Sequence, residues 1–209
     1  NPKSSNNVFL VGNIGKPALD ILPKLKKNSI VVFELSSFQL QDLERSPHIA
    51  VVLDIFPDHM DAHYNFAEYL EAKSTIATSQ TERDIVFFAA HNEYAKGIAV
   101  QSKGKKIPVA TEDCILFTEN DLYLRGLHNF KNAVMATRVA QSLGITNNII
   151  LKTVRSFKGL PYRLQIIKTI RHENIKSKDQ KEIMFVNDSA GTNPSTAAAA
   201  IRSFSEPIF

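Results

Sequence analysis

The sequence has one cysteine, Cys114, in 209 residues. A single thiol excludes an internal disulfide and fits a reducing compartment. Cys114 reads as a small, half-buried apolar residue with no further role. No apolar run approaches the roughly 20 residues needed to cross a bilayer. Asn1 to Asn7 are polar and lack the charged-then-apolar order of a secretion leader, so a cytoplasmic protein is expected. No Gly-x-Ser-x-Gly elbow surrounds Ser36 or Ser37, which argues against a serine nucleophile. Further cysteines and a His-x-x-x-His pair on a helix are both missing, which argues against zinc. Repeats and low-complexity tracts are absent. The net charge of +4 could favour anionic ligands. Its lysines nevertheless fall in short groups: Lys24, Lys26, Lys27; Lys103, Lys105, Lys106; Lys176, Lys178, Lys181. No aromatic residues interleave them, so they read as solvated faces and not as a nucleic-acid platform.

What is present is a chain 44% hydrophobic, enough for one good-sized domain or one domain plus part of another. Val8 to Val11, Ile30 to Phe33, Ile49 to Leu53, Asp84 to Ala89 and Ile107 to Ala110 are short apolar runs that predict strands. Helical stretches separate them: one entered at Pro17, one over Phe38 to Arg45, one from Phe66, one over Glu93 to Ser102. This alternation predicts an α/β fold with a mostly parallel, doubly wound sheet. Ile115 to Thr118 and Leu122 to Leu124 read as a hairpin that breaks the rhythm. Helices follow from Leu127 to Leu143 and from Ile149 to Phe157. A break at Gly159 to Arg163 predicts a domain boundary, with strands at Leu164 to Ile170 and Ile183 to Val186 beyond it and a helix entered at Pro194.

Three polar clusters sit where apolar strands end. The first is Asn13, in Gly12-Asn13-Ile14-Gly15-Lys16. That run resembles a phosphate loop, but a Walker A loop needs four residues between its glycines and Ser or Thr after the Lys. A plain strand–turn–helix junction is an equal reading. The second is Glu34, a carboxylate whose burial at a strand end is costly without a cation or donors. Ser36 or Ser37, just after it, can cap the next helix. The third is Asp58-His59-Met60-Asp61, with His63 beyond. Parallel neighbours would project all three clusters from one sheet edge, the usual ligand edge of an open α/β sheet. That chemistry suits a hard cation, Mg²⁺ before Zn²⁺. Phe66, Tyr69, Leu70, Lys73 and Ala77 share one helical face. Lys73 either snorkels from it or is partly desolvated and acts on an anion or is modified.

Gly12-Asn13-Ile14-Gly15, Glu34 to Leu40 (ELSSFQL), Asp58-His59-Met60-Asp61, Lys73, His128 to Asn132 (HNFKN), Gly159 to Arg163 (GLPYR) and Asn187-Asp188-Ser189 resemble the motifs of the Mur ligases, in order and spacing. Glu34 to Leu40 resembles the branch that adds D-glutamate. The resemblance implies an ATPase-type central domain over residues 1–159, lacking its N-terminal part, and the beginning of a Rossmann-like C-terminal domain over 160–209. It implies an ATP- and Mg²⁺-dependent ligase of peptidoglycan synthesis, monomeric when complete. Its substrates would be UDP-N-acetylmuramoyl-L-alanine and D-glutamate, joined through an acyl phosphate. Neither a nucleic acid nor a membrane is implied as a partner.

By position, the resemblance makes Glu34 and His59 metal-holding catalytic residues. It makes Lys73 the lysine that this family carbamylates, which could then also hold metal. Asn129, Asn132, Arg163 and Asp188 would bind ATP. Asn13, Ser36 and Thr192 would face the substrates. Ala190 departs from the pattern, since many relatives carry Lys there. The Gly-rich ATP loop with its Lys and Thr is not in the chain, so the 209 residues are expected to be inactive alone. Two other readings stay open. One is a sister Mur ligase or a folylpolyglutamate synthase-like enzyme. The other is a non-catalytic nucleotide-binding remnant.

Overall fold

A computed structural model describes residues 8–57, 63–171, 182–191 and 194–208. His59 and Thr192, with Asp58 and Asp61, lie outside the described residues. Five strands of the expected alternation are present: β1 (Val8–Gly12), β2 (Ile30–Glu34), β3 (Ile49–Val52), β4 (Ile85–Ala89) and β5 (Lys105–Val109). Between them lie α1 (Ser37–Gln41), α2 (Phe66–Thr78) and α3 (Glu93–Ala99). Then come α4 (Leu127–Ser142), α5 (Asn147–Ser156), β6 (Gln165–Arg171), β7 (Glu182–Asn187) and α6 (Pro194–Ile201).

The chain divides into two compact units. One contains the described residues up to Val86 together with Glu93–Ile107; the other contains Phe87–Asn92 and the residues from Pro108 onward.

In the first unit β1 and β2 are parallel, with Val8 opposite Ile30 and Gly12 opposite Glu34. The strand order β3-β4-β5 forms a second sheet. Its hydrogen bonds join starts to starts, Ile85 N–H to His48 O and Lys105 N–H to Asp84 O, and ends to ends, Ala90 N–H to Val109 O. That pattern is parallel, and the intervening helices supply the crossovers that parallel strands require. The α/β class expected from the alternation is therefore present. Among the described residues β2 and β3 are not hydrogen-bonded neighbours. Strands consecutive in sequence need not be adjacent in space, and here α1 and α2 join the two segments instead. Thr75 Oγ1 donates to Leu40 O at 2.6 Å, and Ser46 Oγ donates to Thr75 O at 2.8 Å.

Helix limits follow local chemistry. Asn65 caps α2, its Oδ1 accepting from Glu68 N–H at 2.9 Å. Tyr69, Ala72 and Ala77 are the apolar positions of α2 that become buried. Ser36 caps α1 in a capping box with Gln39: Ser36 Oγ accepts from Gln39 N–H and Gln39 Oε1 accepts from Ser36 N–H. The α1 helix ends at Gln41, four residues short of the expected Arg45. The helix entered at Pro17 is a 3-10 helix, Ala18–Lys24; Pro23 inside it disfavours α geometry, in which its ring would clash with the carbonyl four residues back.

In the second unit the expected hairpin at Ile115–Leu124 does not form. Thr118 and Asp121 close a 3-10 turn over Glu119–Asp121 by a reciprocal capping box, which uses the backbone groups that a turn between strands would need. Ile115 is 99% exposed while Phe117 is buried, its ring edge-to-face with Phe130 of α4, so the run packs through one side chain and not as a strand face. Arg155 reaches Asp121 from α5 at 2.9 Å. The strands β6 and β7 pair antiparallel, with Gln165 opposite Asn187 and Arg171 opposite Glu182.

Candidate functional site

The end of β1 and the end of β2 meet. Gly12 lies opposite Glu34, and Asn13 N–H donates to Glu34 O at 2.9 Å. Gly12 has φ +113°, and a Cβ on it would overlap the Glu34 carbonyl, so this crossing requires glycine. Gly12 N–H turns inward and donates to Lys16 O at 3.1 Å. The Gly12–Lys16 segment is thus a closed turn. It does not present the open row of amides that cradles a phosphate.

Glu34 itself is half-buried, and its Oε2 is buried with no hydrogen-bond partner among the described residues. An unpaired buried carboxylate oxygen costs about 1–3 kcal/mol or more, a cost that a cation would relieve. Among the described residues no group of three or more His, Cys, Asp or Glu could hold a metal ion. A lone carboxylate suits the arrangement typical of Mg²⁺, one or two carboxylates with the remaining positions filled by water and substrate phosphate oxygens. The donor set of Glu34 fits such an ion.

Lys73 is half-buried on the inward side of α2, with Nζ 4.9 Å above the centre of the Tyr69 ring. Tyr69 in turn makes a T-shaped contact with His63, at 5.3 Å between ring centres. His63 stacks on Phe38 at 5.1 Å and shares a 2.9 Å hydrogen bond with Ser37. The structure therefore links the Lys73 helix to the residues just after Glu34. Ser36 is half-buried and engaged as a cap. His63 was visible in the sequence only as a second histidine of the loop. Its partner Ser37 is 26 residues away, and only the aromatic spacing of Phe66 and Tyr69 hinted at a buried face.

The other expected site residues lie in the second unit. Gly126, at φ +94°, caps α4, and a Cβ there would overlap Ser203 Oγ. Asn129 donates from Nδ2 to Arg125 O at 2.8 Å. Asn132, one turn on, is exposed on the same face. Asp188 Oδ1 accepts from Leu164 N–H at 2.9 Å, and Ala190 N–H donates to Tyr162 O at 3.0 Å. These bonds hold Tyr162 (φ 64°) and Leu164 (φ 44°) in the left-handed region, which is rare for such side chains. Arg163 sits exposed between them, on a loop anchored by Asp188. His128, at the start of α4, is half-buried. Burial holds its pKa below the ordinary 6.5, and the charges of Asp188 and Glu119 offset part of that fall. Asp188 is thus the common neighbour of the Arg163 loop and of the start of α4.

A cavity of about 480 Å³, lined by Thr78 to Arg83 and Lys103, lies at the C-terminal end of α2. A crossover helix runs antiparallel to its strands, so this is the strand-start side of β3 and β4.

The Mur ligase middle domain matches residues 13–119, just over half of the chain. The UDP-N-acetylmuramoylalanine--D-glutamate ligase of Bacillus mycoides is 33% identical over 95% of this chain and 46% of its own length. The enzyme of that name from Streptococcus equi subsp. zooepidemicus is 31% identical over 96% of this chain and 46% of its own length. The chain spans about half the length of the curated relatives it matches. A crystal structure of MurF from Acinetobacter baumannii superposes with a TM-score of 0.66 over 95% of this chain and 53% of its own, at 17% identity, a likeness of fold. From the match over residues 13–119, the chain belongs to the Mur ligase family.

Proposed function

We propose that the protein containing this chain is an ATP-dependent ligase that joins D-glutamate to UDP-N-acetylmuramoyl-L-alanine. The observation that carries the chemistry is the buried, unpartnered Oε2 of Glu34 beside Asn13 at the ends of two parallel strands. The acceptor and donor are inferred from the relatives named as D-glutamate ligases. The carboxylate of the muramoyl-alanine attacks the γ-phosphorus of ATP, and ADP leaves. The amine of D-glutamate attacks the resulting acyl phosphate, phosphate departs, and the amine gives up a proton.

Glu34 and His59, with Lys73 if carbamylated, are the residues proposed to hold Mg²⁺, which offsets negative charge around the transferred phosphoryl group when bound. Carbamylation needs the neutral amine of Lys73 to add to CO₂ and release one proton, turning a cation into an anion. The position of Nζ over Tyr69 suits the ammonium form, so the carbamate would have to swing off the ring. Asn13, Ser36 and Thr192 are proposed substrate contacts, Thr192 on the side of the incoming amino acid. Asn129 and Asn132 would face adenine, Arg163 the phosphates and Asp188 the ribose. We place the boundary between the central and C-terminal domains at Gly159 to Arg163, where the strained loop offers a pivot.

The experiment is an amide-forming assay on the full-length protein with ATP, Mg²⁺ and the muramoyl-alanine nucleotide, offering D-glutamate, L-alanine, diaminopimelate or L-glutamate in turn. D-glutamate alone should be consumed. Turnover with another amino acid would move the protein to a sister ligase, and no turnover with any would favour a non-catalytic module.

A further inference from the structure

A buried imidazole joins the two segments that carry the proposed cation site. His63 is 3% exposed. Its Nε2 and the buried hydroxyl of Ser37 are 2.9 Å apart and hydrogen-bonded. Its ring lies nearly parallel to Phe38, at 11°, and meets Tyr69 in a T-shaped contact at 74°. Ser37 and Phe38 open α1, three and four residues after Glu34. Tyr69 lies one helical turn before Lys73 and carries Nζ over its ring. A residue needed only for bulk would be apolar, since burying an imidazole costs free energy that a phenyl ring does not. What the imidazole adds is direction. A hydrogen bond, a stack and an edge contact fix one ring against two elements at once. The other nitrogen, Nδ1, is buried without a partner among the described residues. Among the described residues the ring is anchored by Ser37 alone on its polar side.

We propose that His63 is a positioning residue that sets the separation between Glu34 and Lys73. It does so through Ser37 and Phe38 on one side and Tyr69 on the other. The proposal rests on the reading of Glu34 and Lys73 as cation-holding groups. His63 touches neither substrate nor ion. Its loss leaves the carboxylate present but loosely held, so cation affinity falls while nucleotide affinity, assigned to the second unit, does not.

The test uses the full-length protein, Mn²⁺ as probe and a non-hydrolysable ATP analogue, with free Mn²⁺ read by electron paramagnetic resonance. His63→Phe keeps the stack and loses the hydrogen bond. Ser37→Ala removes only the hydroxyl. Each should weaken Mn²⁺ about 10-fold, the scale seen when a support of a metal ligand is removed. The double variant should be no weaker than His63→Phe, because both remove one bond. His63→Gln, which restores a polar atom near Nε2, should recover most of the loss, and analogue affinity should stay unchanged throughout. Ser37→Ala keeps the test decisive even if His63→Phe fails to fold. Glu34→Gln separates the two readings. If it binds Mn²⁺ as the wild type does, the cation reading falls. If it binds weakly while Ser37→Ala and His63→Phe bind normally, or if their losses simply add, the positioning role alone is overturned.

Discussion

Glu34 sets a function against a stability. A buried carboxylate oxygen without a donor destabilises the fold, yet it is what a hard cation would seek. Glu34→Gln keeps the shape and removes the charge. We expect turnover of the full-length protein to fall about 100-fold or more, on the scale of losing one group that stabilises developing charge. We also expect its thermal midpoint to stay level or rise in the absence of cation. Lys73→Ala should lower turnover comparably, while Lys73→Glu, which returns an anion, should recover part of it if the carbamate is the working form. Activity of Lys73→Ala equal to that of the wild type would remove Lys73 from the site. At this scale the sequence was legible where chemistry is local. A carboxylate directly after an apolar strand and a lysine in helical register with Phe66 and Tyr69 both announce themselves. His63 and His128 did not, because their burial comes from Ser37 and Phe38 and from the Asp188 neighbourhood, which the linear chain keeps far apart.

At the scale of elements, strands and long helices were readable from apolar spacing, and the ends were not. The hairpin expected at Ile115–Leu124 became a 3-10 turn because Thr118 and Asp121 satisfy each other's segment more closely than a cross-strand partner could. The split between β1-β2 and β3-β4-β5 was hidden as well, since adjacency in a sheet is a tertiary fact. Two predictions belong here. Asn65→Ala removes the cap of α2 and should cost about 1 kcal/mol in denaturant unfolding, with little change in the slope. Asp84 is tied to the turn before β4 and to His48. Thr81 N–H first, then the His48 ring and the Thr81 hydroxyl, hold its carboxyl down to about 2 from an ordinary 3.8. The folded form binds the proton more weakly, so the stabilisation is complete above pH 3.8 and lost as pH falls toward 2. Asp84→Ala should therefore unfold at a lower temperature than the wild type at neutral pH. The gap should close across that window in a series of melts, and a gap independent of pH would contradict the linkage.

For the whole molecule, the expected residues divide between two units. Glu34 and Lys73, proposed for the cation, and Asn13 and Ser36, proposed as substrate contacts, are in the first, and the group proposed to handle the nucleotide is in the second, Asn129, Asn132, Arg163 and Asp188. Motif order along the chain made both groups legible, whereas their assignment to compact units needed coordinates. We propose that the 209 residues alone do not turn over. In an assay with ATP, Mg²⁺, the muramoyl-alanine nucleotide and D-glutamate, phosphate release from the isolated chain should stay at background. Release at the rate of the full-length protein would refute this.

The crossing of Gly12 against the Glu34 carbonyl also bears on how this chain can vary. Every single-base change in a glycine codon that alters the amino acid adds a Cβ or stops translation. At position 12 each such Cβ would overlap a backbone oxygen, and the φ of +113° would disfavour it as well. Neither obstacle can be relieved by rotating a neighbouring side chain. Codon 12 thus has no viable neighbour one amino-acid-changing mutation away, and a saturation library of the chain should return glycine there almost alone.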